Sequence, residues 1–586
     1  MLLPPIGELR ERKAAFLWAL LSVVLLRLCW APVEWGVLAL VALVPFLWGL
    51  RGMSPRAAFW YGWVFGGIHF YTILTWLNSV ARFGILAPGG FPLIYVGVVL
   101  MAFIMGLYVA VSSAGMVWFG RRLNPWGALG MSALLWAGLE WLRSAGSLGF
   151  PWGLLGYSVY TVEPLAALAS LGGVPLISSF LLLINIEVME AVAATRRRQW
   201  SLDVALRVAA AAGLLVAALA WGFGEPPQPA STMRVAVVQP NIPQDEKFAS
   251  YSPEEGVERQ MALQEEVTLT ILDMLRDLEP GAYDLVVLPE SAFPQPWFDI
   301  EIRESALQRE LRAIATELDA TLLVGSADNV FYDVDNQEVE DYRQAVQTGQ
   351  ELAHGYYNAA YFIRPGDSEF QGSAEYRKIH LVPFGETIPF ADSFDALSNL
   401  LPIGGFQAGA PRQAAVYIDA RGGAGESGEA EALPEPPKVP VHVAPTICFE
   451  DFFPYLHYRM SRRGAEVFVN ITNDAWYDPT LGSRLHFAHA RMRSVEVARP
   501  MIRCANTGVT AIVGADGEVL SELPLRERGV LSAEVPLMGP EVQTVATRFG
   551  SNWGILGFLL GLGGWIGLAL AGKSRSKRLD PGPGTL

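Results

Sequence analysis

Charged residues are scarce in this chain: Asp, Glu, Lys and Arg make up 17% of its 586 residues, against roughly 25% in an average soluble domain. Cysteine is scarcer, at 3. Cys29, Cys448 and Cys504 cannot build a disulfide framework, and none belongs to a C-x-x-C pair. Cys29 lies in an apolar run and reads as packing. The 7 histidines show no metal spacing. His486 and His489 would share a helical face, but no third ligand stands near, so no metal site is expected. A basic excess is also missing. The net charge of −15 excludes a basic nucleic-acid binder, and a hydrophobic fraction of 52% excludes disorder.

What is present is apolar, with 18 Trp and a mean hydropathy of +0.29. The charge is unevenly spread: +5 over residues 1–230, +3 over 551–586 and −23 between them. Two mildly basic, greasy ends therefore enclose an acidic, water-soluble middle, the pattern of a membrane protein with one large extramembrane domain.

A span needs ~20 mainly apolar residues. The segments Ala14–Trp30, Trp35–Leu50, Ala57–Val80, Phe91–Phe119, Trp126–Leu142, Pro164–Ala194, Val204–Trp221 and Trp553–Ala571 qualify, which predicts eight spans, seven before the middle and one after it. The second is short and holds Pro45. The first follows Arg10, Arg12 and Lys13 but lacks an A-x-A cleavage site, so it is expected to be retained. Basic residues recur in alternate loops, at Arg51 and Arg56, Arg121 and Arg122, and Arg196 to Arg198, and again after the last span from Lys573 to Arg578. The positive-inside rule then puts both termini in the cytoplasm and the middle outside. Glu140 and Arg143, three apart, are expected to pair near the outer interface. The stretch GFPWGLLGYS, Gly149–Ser158, is too broken for a regular span. It reads either as a connecting loop or as a segment lining a substrate cavity.

From Met233 the period changes. Strands are predicted at Arg234–Gln239, Leu285–Leu288, Thr321–Gly325, Ala359–Ile363, Val441–Ile447, Val467–Ile471 and Val509–Val513. Helices are predicted at Pro253–Leu278, Ile302–Leu318 and Leu485–Arg499. Residues 231–550 therefore form an α/β domain. Asp333–Glu351 and Arg421–Lys438 read as exposed insertions, the second disordered. No internal repeat or phosphate-cradling glycine loop is visible.

Polar residues stand where strands run out into loops. Glu290 ends LVVLPES, Lys378 lies in EYRKIHLVPFGE with Glu386 eight further on, and Cys448 ends VHVAPTICFED with Glu450 two beyond. Loops past strand carboxyl ends are where open α/β sheets bind ligands. Each residue has a bland reading: Glu and Lys are usually solvated, and a cysteine closing an apolar strand is usually packing. Together they offer a base, a cation and a nucleophile.

LPES, YRKIHLVPFGE and CFED, in that order, resemble the nitrilase superfamily, and NITNDAWY and RPMIRCANTGVTAIVGADG resemble its later strands. With the seven preceding spans, GFPWGLLGYS and the final span, the chain resembles the apolipoprotein N-acyltransferase family over nearly its whole length. The resemblance implies an α-β-β-α sandwich on the outer face of a bacterial inner membrane. The implied reaction moves a fatty acyl chain from a phospholipid to the α-amine of the diacylglyceryl-cysteine that begins an apolipoprotein. Cys448 would be nucleophile, Glu290 general base and Lys378 oxyanion stabiliser. Glu386, Glu450 and Trp476 would support the site, and neither metal nor organic cofactor is called for. The enzyme is expected to work as a monomer with membrane lipid and lipoprotein as partners, and without nucleic acid. Two departures stand out: Phe449 follows the nucleophile where the family usually has Tyr, and Phe248 stands where Trp is expected in the loop entering the site. Two rivals stay open: a membrane-tethered amidase, and a transporter or receptor whose outer domain only binds ligand.

Overall fold

The computed structural model describes residues 13–83, 93–146, 148–249, 256–293, 305–332, 353–367, 376–383, 385–387, 405–421, 438–550 and 552–570. The chain divides into two compact units. One comprises Met1–Asn78, Pro92–Gly224 and Phe549–Leu586, the other Ser79–Phe91 and Glu225–Arg548.

The first unit is helical. Among the described residues, 4 helices are long and apolar enough to cross a membrane: Ile94–Arg122, Val174–Arg197, Leu202–Gly222 and Asn552–Leu570. The other segments read as spans fall on helices that are shorter, broken or less apolar. Trp35–Leu50 splits into a 3-10 turn, Gly36–Leu40, and a helix, Val44–Leu50. Asn185 patches that break, accepting from Leu43 N at 2.8 Å and donating to Ala39 O at 2.8 Å. Irregular backbone among apolar helices persists only when its polar groups are satisfied in this way. Ala57–Val80 becomes a helix, Pro55–Leu74, followed by the 3-10 stretch Thr75–Phe83. Pro164–Ala194 begins as two single turns before Gly173, at φ 72°, starts the long helix.

Small residues set the helix spacing. A Cβ on Gly66 would meet Gly106 Cα at 2.9 Å, and one on Gly138 would meet Phe558 N at 2.3 Å, so backbones touch where larger side chains would part them.

Glu140 and Arg143 do not pair with each other as expected. Both instead hold GFPWGLLGYS: Arg143 donates to the carbonyls of Phe150 and Trp152 at 3.0 and 2.7 Å, and Glu140 accepts from Leu155 N at 2.8 Å. The segment is buried and ends in a 3-10 helix, Leu155–Val159. It is a folded part of the helical unit rather than a loose connection.

The second unit is a two-sheet sandwich. Strands β1 (Ser231–Gln239), β2 (Leu285–Val287), β3 (Thr321–Tyr332), β4 (Ala353–Ile363) and β5 (Tyr376–Arg377) belong to one sheet. Strands β6 (Val416–Arg421), β7 (Lys438–Ile447), β8 (Val467–Thr472), β9 (Met501–Ala505), β10 (Ala511–Val513) and β11 (Val519–Glu522) form the other. The last strand, β12 (Gly529–Leu537), returns to the first sheet, so the orders are β12-β1-β2-β3-β4-β5 and β11-β10-β9-β8-β7-β6. In each sheet three neighbours run parallel, β1-β2-β3 and β7-β8-β9.

The strand pleat separates two cores. Val235, Val237, Leu285 and Val287 face the other sheet's Val443, Val467, Val469 and Met501. Ala236, Val238, Val286 and Leu288 pack under Ile271 and Leu275 of helix Val257–Arg276 and Leu311 and Ile314 of helix Ala306–Leu318. Helices Pro454–Arg462 and Gly482–Val497 cover the second sheet through Tyr458, Met460, Phe487 and Ala490. The layers are α-β-β-α.

The residues read as an insertion at Arg421–Lys438 include two that are strand: Arg421 and Lys438 face each other across β6 and β7, and both bond Asp319. The rest of it, and Asp333–Glu351, lie outside the described residues.

Candidate active site

Cys448 follows β7 directly and opens a 3-10 helix, Cys448–Phe452. Its φ of 51° is unusual for a residue with a side chain. The sharp turn lifts the thiol off the strand end, although it stays buried, 7% exposed. Burial, then the Glu290 charge, push the thiol well above its ordinary range, while Lys378 pulls the other way. The group therefore rests as a thiol and requires a base.

Glu290 lies just past β2, before Ser291, itself at φ 48°. One carboxylate oxygen accepts from Asn358 Nδ2 at 2.7 Å and Lys378 Nζ at 3.2 Å, the other from the Asn473 backbone N–H at 2.8 Å. Lys378, after β5, also donates to Glu386 at 2.9 Å. Burial works against the ammonium, but Glu290 and Glu386 overcome it and hold Lys378 above its ordinary value. It is a fixed cation. Glu386 is held in turn by Asn358 Nδ2 at 2.8 Å and Val382 N at 2.8 Å.

Glu450 does something different. Fully buried, it accepts from Ile447 N at 2.8 Å on one side and from Ile379 N at 2.7 Å and His380 N at 3.2 Å on the other. Tyr376 OH adds a bond at 2.8 Å. One side chain thus ties the residue before Cys448 to the two after Lys378. Burial raises its carboxyl to about 7 against the pull of these donors.

Phe449 is buried against Phe452 and Phe453, with ring centroids 5.0 and 5.2 Å away. Trp476 lies on the 3-10 turn Asp474–Tyr477 after β8 and is half-buried. Phe248 falls on the short helix Gln244–Ala249, and its side chain lies outside the described residues.

Several site residues carried no signal in the sequence. Asn358 sits inside β4 and bridges two carboxylates. Lys247, only 4% exposed, donates to Ser291 O at 2.7 Å beside Glu290. Burial brings its ammonium down to about 8, with Glu290 pulling it back up. Asn473 supplies both its N–H to Glu290 and its side chain to Gln244, at 2.9 Å. Only its neighbourhood, NITNDAWY, could have flagged it.

Glu290, Lys378 and Cys448 stand together past the strand ends of a two-sheet α-β-β-α sandwich, and residues 234–540, which make up that sandwich, match the family described as carbon-nitrogen hydrolase. Residues 22–186 match a second description, apolipoprotein N-acyltransferase N-terminal domain. Among curated relatives, the apolipoprotein N-acyltransferase of Geobacter metallireducens is 30% identical, the alignment covering 91% of each chain. That of Ralstonia nicotianae is 31% identical over 90% of this chain and 88% of its own. That of Vibrio parahaemolyticus is 28% identical over 87% and 88%. The chain belongs to the apolipoprotein N-acyltransferase family.

Proposed function

We propose that this membrane acyltransferase N-acylates lipoproteins by two displacements at Cys448. In the first, Glu290 takes the thiol proton as sulfur attacks a phospholipid ester carbonyl. The C–S bond forms, the ester C–O bond breaks, and Glu290 returns the proton to the departing lysophospholipid oxygen. In the second, Glu290 takes a proton from the incoming α-ammonium and the freed amine attacks the thioester carbonyl; the C–N bond forms, the C–S bond breaks, the surplus proton on nitrogen passes to the departing sulfur, and Glu290 gives its proton to solvent. Lys378 stabilises the oxyanion of both tetrahedral intermediates, a contribution worth roughly 3–4 kcal/mol for one such donor. Glu386 keeps Lys378 charged and placed.

The observation that carries this reading is the buried Cys448 thiol with the Glu290 carboxylate and the Lys378 ammonium as charged neighbours, those two bonded to each other at 3.2 Å. The finer topology is part of the proposal: eight apolar segments as spans, both termini cytoplasmic, and the sandwich outside, where lipoprotein amino termini emerge. A reporter fused after Trp221 is expected to be active outside, and one after Arg198 inside.

The test is transfer itself. The purified chain, a phospholipid with a labelled acyl chain and a peptide beginning with diacylglyceryl-cysteine should place label in an amide at the peptide's amino terminus. Release of labelled free fatty acid with no labelled peptide would instead make the chain a hydrolase.

A further inference from the structure

The carbonyl of Cys448 is met by two side chains, Asn470 on β8 and His486 on the covering helix Gly482–Val497. Asn470 Nδ2 donates to it at 3.3 Å, and Nε2 of His486 lies 3.3 Å away. The other ring nitrogen of His486 lies 2.9 Å from Asp474 Oδ1. A carbonyl and a carboxylate only accept, so the ring serves both partners only with a proton on each nitrogen.

The charges around it agree. Although burial opposes it, Arg503 and His486 hold Asp474 at about 2, so its carboxylate is ionised. Arg503 bonds Asp474 at 3.0 Å, Asp451 at 2.8 Å and the Asn470 carbonyl oxygen at 2.9 Å. His486, Asp474, Asp451 and Arg503 are fully buried. Two carboxylates face one guanidinium in this core: the His486 ring stands against Asp474, and His457 stands on the far side of Asp451, with Nε2 3.7 Å from its Oδ1 and Nδ1 3.3 Å from the Phe453 carbonyl. The Phe452 ring stacks on His486, and Tyr477 meets it edge-on.

The peptide after Cys448 is trans, so the Phe449 N–H points opposite to the carbonyl. We propose that His486, protonated on both nitrogens, acts with Asn470 as the positioning device that fixes this peptide plane and aims the Phe449 N–H at the developing oxyanion. The charged donor also polarises the peptide, making the opposed N–H a stronger donor. Both effects act through the Phe449 N–H, so His486 is a positioning residue. The inference rests on Cys448 being the nucleophile.

Two measurements on the full chain test it. In protein labelled with 15N-histidine, the signal lost in His486→Gln should, in the wild type, show both ring nitrogens protonated across the neutral range. A neutral tautomer there overturns the proposal. In single-turnover adduct formation with phospholipid, His486→Gln, which keeps one uncharged donor, should slow the step about 10-fold, and His486→Leu about 100-fold. Lipid affinity should stay the same in both. Wild-type rates in both variants overturn the proposal. Absence of any adduct in the wild type would strike the Cys448 reading itself, and the ring signal, read without substrate, still decides the state of His486.

Discussion

In the helical unit Glu140 and Arg143 turn their charges onto backbone, holding the Leu155 N–H and the Phe150 and Trp152 carbonyls. In the sandwich Glu290, Lys378 and Glu386 turn theirs onto one another and toward a thiol. Both arrangements bury ionisable groups in a low-dielectric setting, where an unsatisfied one is costly. The first completes the hydrogen bonding of an irregular segment. The second couples a carboxylate, an ammonium and a thiol electrostatically, so that moving one proton changes the balance among all three. Burial of charge alone therefore does not mark a reaction centre; the kind of partner does.

The comparison breaks most sharply at Cys448. Cys448→Ala should abolish both acyl-adduct formation and transfer, measured by intact mass and by labelled peptide, while the fold persists. Lys378→Met should slow adduct formation by about 10²–10³-fold with phospholipid still bound, since the lost charge acts mainly in the transition state. Glu140→Leu is the contrasting case. It should cost about 1–3 kcal/mol of stability by leaving the Leu155 N–H buried without its acceptor, yet leave the adduct rate per folded molecule unchanged. A rate loss matching that of Lys378→Met would erase the distinction between the two clusters.

Glu450 lies between these extremes, structural in its partners and adjacent to the chemistry. Its carboxyl is raised in the fold, from 4.5 to about 7. The native state thus binds a proton more readily than the unfolded chain between those values. Its contribution to stability should be full below about 4.5 and lost as pH rises through about 7. Melting curves of wild type and Glu450→Gln across that window should differ in slope with this sign, the variant being flatter. The smallest effect is expected at Phe449, which packs between two rings. Phe449→Tyr should change adduct formation little, whereas Phe449→Ala should impair it.

How far the sequence revealed this depends on the range of the interaction. Glu290 and Cys448 close apolar strands, and a polar residue at a strand end is visible in a single window. Asn358 lies within β4 and makes its bonds 68 and 28 residues away, to Glu290 and Glu386, so no local pattern exposes it. The same holds for Lys247 and for His486, whose ring reads as one more histidine on a helix until Asp474 and the Cys448 carbonyl are placed beside it. Strand β12 escaped because it pairs with β1 from the opposite end of the domain. Strand β9, covered only by the family resemblance of RPMIRCANTGVTAIVGADG, escaped the reading by periodicity because Arg503 interrupts its apolar run with a charge. Of the eight segments read as spans, four coincide, among the described residues, with helices long and apolar enough to cross a membrane. Hydropathy does not register Pro45 at a helix start, or Gly173 at positive φ, as breaks in a continuous helix. The pairing expected of Glu140 with Arg143 failed for a related reason: spacing put them on one turn, but the irregular segment beside them offered better partners.

The proposed chemistry requires one covalent bond, between the acyl carbonyl carbon and Cys448 Sγ. Purified chain incubated with phospholipid and no amine acceptor, then digested and mapped by mass spectrometry, should carry one fatty acyl group on Cys448, released by neutral hydroxylamine as a thioester is. An acyl group on Cys504 or Cys29, or an undiminished adduct in Cys448→Ala, would contradict it.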